Sequence, residues 1–105
     1  MTLFDEREQA FEAKFVHDAD IQFRVRARRD KLLGLWAADL LGKTGSEAGA
    51  YAQSVVSADL EQAGHEDVVR KLSADLGSRV SEDQIRAKLL ALQLKAQQEM
   101  MQEGE

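Results

Sequence analysis

IQFRVRARRDKLLGLWAADLL, residues 21–41, is the only segment of the chain with enough large apolar side chains to form a central helix. At about 100° per residue, Ile21, Val25, Leu32, Trp36 and Leu40 fall on one side, and Leu33 and Leu41 widen the stripe. The spacing predicts that this side is buried and that the other segments pack on it.

Outward from that stretch, glycines mark the next boundaries. Gly42 follows Leu41 as a left-handed C-terminal cap would, and Gly45-Ser46 offers a turn and a new N-cap. A second helix is expected from about Glu47 to Gln62. Its apolar residues Ala48, Tyr51, Ala52, Val55, Val56 and Leu60 recur at three and four, and Gly64 ends it. Glu66 and Asp67 place negative charge at the start of a third helix whose buried side is Val68, Val69, Leu72 and Leu76, up to Gly77. Ser81-Glu82-Asp83-Gln84 then matches a capping box, and the fourth helix continues through Ile85, Leu89, Leu92 and Ala96 towards Met100. No segment alternates with period two between turn residues, so the class is all-α. Amphipathic helices joined by short connections most economically form an antiparallel four-helix bundle, here over residues 21–105.

A chain of 105 residues without Cys or Pro is expected to be one domain with a core of its own, and offers no disulfide or Cys-based metal site. Fourteen basic against nineteen acidic residues give a net charge of -5, which argues against nucleic acid or anionic lipid as partner. There is no membrane-spanning run, and residues 1–20 lack the apolar stretch of a secretory signal, so the expected compartment is the cytoplasm. His17 and His65 have no ligand spacing and read as surface or capping residues. Gly42-Lys43-Thr44 ends like a phosphate-binding loop but lacks its first glycine and preceding strand. No catalytic constellation is present and no cofactor is expected; the carboxylates read as solvated helix faces.

Arg24, Arg26, Arg28, Arg29 and Lys31 make the densest basic run. On a helix Arg24, Arg28 and Lys31 point one way and Arg26 and Arg29 another, while Asp20 precedes Arg24 by four residues in the favourable ion-pair order. A partly salt-bridged, solvated face is the plain reading. The functional alternative is a nucleotide- or phosphate-responsive binding module with Arg24, Arg28, Arg29 and Lys31 as its contacts.

Residues 1–20 do not fit the bundle and read as a separate, mobile or projecting helical arm. All four Phe precede residue 24, and Phe4, Phe11 and Phe15 share a face within about 40°, after which Asp18 and Gln22 interrupt the line. When apolar residues resume at Ile21 and Val25 their direction is rotated by roughly 80°, so one straight helix cannot aim both stripes into one core. This places a joint near Val16 to Asp20. The Phe face could fold back over the bundle, dock in a groove on a partner, or pair with a second copy. Magnitudes allow the second: three buried Phe contribute roughly 5 to 9 kcal/mol, against at least ~2 to 5 for ordering a segment on binding.

At these residues the chain resembles the bacterial ATPase inhibitor zeta subunit family. Two runs carry most of the resemblance, Phe4 to Asp18 (FDEREQAFEAKFVHD) and Ala27 to Ala38 (ARRDKLLGLWAA). Shorter pieces agree in order: Ala50-Tyr51-Ala52, Val55-Val56, Ala58-Asp59, Ala63-Gly64, Glu66-Asp67-Val68, Ser81-Glu82 and Ile85-Arg86. The resemblance implies a four-helix bundle with an N-terminal inhibitory segment that inserts at a catalytic interface between the alpha and beta subunits of the F-type ATP synthase, near the gamma shaft. It further implies a regulatory protein, monomeric when free, that joins the cytoplasmic face of the membrane-bound enzyme. Carried over residue by residue, the partner-binding candidates are Phe4, Asp5, Arg7, Glu8, Phe11, Glu12, Lys14 and Phe15, the Phe as apolar anchors and the charges as orienting groups. Gln9, Val16 and the short Gly77-Ser78-Arg79-Val80 connection depart from the family's commoner pattern.

Overall fold

A computed structural model describes residues 18–60 and 65–103. These form helices α1 (Ala19–Leu40), α2 (Gly45–Leu60), α3 (Glu66–Leu76) and α4 (Glu82–Glu103), with a single 3-10 turn at Gly77–Arg79 and no strand among the described residues. The fold is all-α, and the helices pack on one another: α1 lies along both α2 and α4, and α3 closes the side between those two.

Each boundary has a local cause. Asp18, in extended backbone, accepts hydrogen bonds from the N–H groups of Asp20 (3.0 Å) and Ile21 (3.2 Å) and so fixes the start of α1. At the other end Gly42 adopts φ 76°; its N–H donates to Asp39 C=O (3.1 Å), and the Lys43 N–H reaches Ala38 C=O (2.9 Å). This paired closure is the glycine-terminated helix end expected at Gly42. The start of α2 lies two residues ahead of the expected Glu47, because the Thr44 carbonyl already accepts from Glu47 (3.1 Å) and Ala48 (3.3 Å). Its expected end at Gln62 and Gly64 lies outside the described residues. Ser81 and Gln84 complete the capping box: Ser81 N–H donates to Gln84 Oε1 (2.7 Å), and Gln84 N–H donates to Ser81 Oγ (3.1 Å).

The core is where all four helices meet, at Leu33, Ala37, Val55, Val68, Val69, Leu72, Leu76, Ile85, Leu89 and Leu92. The expected buried residues of α3 and α4 are all in place, with Ala96 in a smaller cluster beside Val25. The stripe expected for α1 is displaced. Val25, Leu33, Gly34, Ala37 and Ala38 are buried, whereas Leu40 is 39% exposed and Leu32 and Trp36 only pack partly against the core. The reason is that α1 is covered on two sides, and its small residues admit α2 at close range. A Cβ built on Gly34 would stand 2.6 Å from Ala52 Cα, so the two backbones touch where a large side chain would hold them apart.

Polar contacts tie the outer edges. The Arg86 guanidinium grips both oxygens of Glu66 (3.0 and 2.9 Å), joining α4 to α3. Tyr51 Oη donates to Asp75 (2.7 Å) while Lys71 Nζ lies 5.1 Å from the Tyr51 ring centroid, joining α2 to α3.

Candidate functional site

Phe4, Asp5, Arg7, Glu8, Phe11, Glu12, Lys14 and Phe15, with the proposed joint as far as His17, lie outside the described residues. The point from which that segment departs is described. Asp18 opens α1 beside the small cluster formed by Ile21 and Val25 with Ala96, Met100 and Met101, at the end of the bundle where α1 starts and α4 finishes.

The arginine-rich run of α1 spreads over several environments. Arg24 is exposed and pairs with Asp20 at 3.2 Å, as the four-residue spacing anticipates. Arg28 reaches across to α4, meeting Glu103 at 2.9 Å and Glu99 at 3.7 Å. Its hydrogen bond to Glu103 raises the Arg28 pKa and, from the other side, lowers that of Glu103. Lys31 is exposed. Arg29 turns inward, only 7% exposed, and donates to Asp59 (3.1 Å), Asp30 (3.0 Å) and the Gln93 side-chain carbonyl (3.3 Å). Arg26 joins it, with Nε on Asp59 Oδ2 and Nη2 on Asp59 Oδ1 (2.9 Å) and on the Asp59 carbonyl (3.0 Å). The direction shared by Arg26 and Arg29 therefore leads to one acceptor, while Arg24, Arg28 and Lys31 do not converge on a common point.

This inner cluster corrects the expectation that the carboxylates are solvated. Asp30 and Asp59 are both fully buried. Burial works against the charged form of Asp59, yet hydrogen bonds from Arg26 and Asp30 and the charges of Arg26 and Arg29 outweigh it, and its pKa is lowered. Asp30 goes the other way: burial first, then its hydrogen bond with Asp59, push it up to about 8 against the pull of Arg29. The signal was present in the sequence, since Asp59 continues the Ala52-Val55 line by four residues and so falls on the apolar face of α2. Asp30 carries a weaker mark, because its side of α1 joins Leu33 to Arg26, Gly34 and Ala37.

A cluster of two carboxyls and two guanidiniums can link helices and hold a proton. It offers no nucleophile and base in hydrogen-bonding sequence, and no group of His, Cys, Asp and Glu among the described residues could hold a metal ion. No helix among the described residues is long and apolar enough to cross a membrane.

Comparison with known proteins adds three findings. The model of a family described as ATPase inhibitor subunit zeta matches residues 1–99. A protein whose structure was determined in solution by NMR is 52% identical, with a TM-score of 0.73 over 79% of this chain and 98% of that one. Among curated proteins nothing matches.

Proposed function

The chain belongs to the ATPase inhibitor subunit zeta family, and from that premise we propose that it restrains the F-type ATP synthase by inserting residues 1–17 at a catalytic interface between the alpha and beta subunits, near the gamma shaft. The carrying observation is that the family match begins at residue 1 and so includes the Phe-bearing segment as well as the bundle. Phe4, Phe11 and Phe15 anchor the segment in an apolar groove, while Asp5, Arg7, Glu8, Glu12 and Lys14 set its register. The bundle from Asp18 onward is the body that holds the wedge in place. Such a stop acts mechanically: it opposes rotation in the hydrolytic direction and spares ATP when the proton-motive force falls. The protein works as a monomer on the cytoplasmic face of the enzyme and performs no chemistry itself.

The test is ATP hydrolysis by the purified catalytic head, titrated with the full chain and with a chain lacking residues 1–16, which keeps the Asp18 cap. The full chain inhibits and the shortened one does not. Phe11→Ala or Phe15→Ala weakens inhibition by roughly 10- to 100-fold, the equivalent of about 1.5 to 3 kcal/mol for one buried Phe. Inhibition by neither chain rules this reading out. Loss of inhibition with Arg28→Ala, but not with the deletion, transfers the function to the basic helix.

A further inference from the structure

We propose that Asp30 and Asp59 share one proton across the α1–α2 seam, and that the seam is tight while the proton is held and slackens when it is lost. The inference concerns the bundle alone and holds whether or not the N-terminal segment is the inhibitor.

The cluster's hydrogen bonding assigns the proton. Asp59 is served by two guanidiniums, Arg26 through Nε and Nη2 and Arg29 through Nη2. Asp30 is met by Arg29, with Nε 3.0 Å and Nη2 2.9 Å from the same oxygen, Oδ1, while Arg26 acts on it through its charge. Asp30 Oδ2 is buried and receives no hydrogen bond from any N–H or O–H. A charged carboxylate oxygen in that position would be desolvated with nothing in return. With a proton on it, Asp30 becomes the donor in its hydrogen bond with Asp59, while Arg29 Nη2, 2.9 Å from Asp30 Oδ1 and 3.1 Å from Asp59 Oδ2, holds the two carboxyls side by side. The two carboxyls then carry one negative charge between them, held by Arg26 and Arg29.

The groups facing the pair come from three helices. Arg26 and Arg29 lie on the same helix as Asp30, and Asp59 is the contribution of α2. From α4 comes the neutral amide of Gln93, whose Oε1 accepts from Arg29 Nη1 at 3.3 Å. Among the described residues no charged side chain of α3 bonds to either carboxyl. When the proton leaves for bulk water, two buried carboxylates face each other with no added cation. Repulsion then acts between α1 and α2, along the same seam in which Gly34 meets Ala52.

The sign of the effect follows. Asp30 is held at about 8 in the fold, above the ~3.9 of an unfolded chain, so the folded state binds the extra proton across that window and stability is lost as pH rises through it. Asp59 is lowered, so its contribution is lost only on acidification below the usual carboxylate range, and the two effects occupy different pH ranges.

The experiment follows the Asp30 side-chain carboxyl carbon of the full chain by NMR between about pH 4 and 10, with urea unfolding measured at about pH 6 and 9. The Asp30 resonance titrates with a midpoint near 8, and the unfolding constant rises on the order of a hundredfold between the two pH values through this one group. Asp30→Asn, which keeps a donor towards Asp59 but cannot titrate, loses that rise. Asp59→Asn, which removes the negative charge facing Asp30 and leaves it the guanidiniums, moves the Asp30 midpoint below neutrality. A wild-type Asp30 midpoint below about 5 overturns the proposal even if neither variant folds. It is also overturned by an undiminished pH dependence in Asp30→Asn, or by an Asp30 midpoint unmoved in Asp59→Asn.

Discussion

Two glycines on neighbouring helices play opposite parts. Gly34 is required by its neighbour: an added Cβ would lie 2.6 Å from the Ala52 Cα and 3.3 Å from its carbonyl oxygen, both backbone atoms that cannot move aside alone. Gly34→Ala therefore pushes α1 and α2 apart and costs about 1 to 3 kcal/mol, read as a lower urea midpoint. An unchanged midpoint would mean that the seam has slack. Gly49, exposed on α2, has nothing within 4 Å of the same built atom and no left-handed φ. There the flexible residue only weakens its helix, and Gly49→Ala raises stability by about 0.5 to 1 kcal/mol in the same assay. Neither outcome is predictable from the glycine itself, because the sequence gives both residues the same helical surroundings. Asp30 makes the same point for charge: its burial beside Arg29 depends on which helix covers it.

Helix ends were the most legible elements, since their signals act within a few residues. The reciprocal Ser81–Gln84 hydrogen bonds and the Gly42 closure occur where the local sequence calls for them. Ser81→Ala removes the acceptor for the Gln84 N–H and should destabilise the protein by about 1 kcal/mol, with amide exchange accelerating first at the start of α4. Exchange that accelerates uniformly along the chain would contradict a local role. Helix faces were less legible. The periods of α3 and α4 pointed to the residues that are buried, Val68, Val69, Leu72, Leu76, Ile85, Leu89, Leu92 and Ala96, because each of these helices has one apolar side. On α1 the same reasoning favoured the large residues and passed over Gly34, Ala37 and Ala38, which are buried, Gly34 meeting Ala52 of α2 because it is small.

At the scale of the molecule, the described helices form a core that draws on residues from Leu33 to Leu92, while α1 begins at its own cap, Asp18. A chain lacking residues 1–16 should accordingly keep its helical circular dichroism and its thermal midpoint to within a few degrees, about the effect of 1 kcal/mol or less in a domain of this size. A larger fall would show that the Phe face completes the core and would favour the fold-back arrangement over a partner groove. The candidate site rests on resemblance, since its residues lie outside the described ones. Three Phe on one face followed by a break at Asp18 signal a segment apart, but a periodic stripe does not say what it will cover.

The sequence by itself determined the helical class, the helix ends at Gly42 and Gly77, the apolar sides of α3 and α4, and, through the order of its short motifs, the family. These are local or collinear properties, set by capping hydrogen bonds, by glycine's access to left-handed backbone and by the 3.6-residue period of the helix. Only the tertiary structure decided which side of α1 meets α2, why Gly34 must stay small, and how Arg29, Asp30 and Asp59 come to be buried together beside the half-buried Arg26. The physical reason is distance: a carboxyl's charge state and a glycine's tolerance depend on atoms 18 to 30 residues away in the chain, and folding alone brings those atoms into contact.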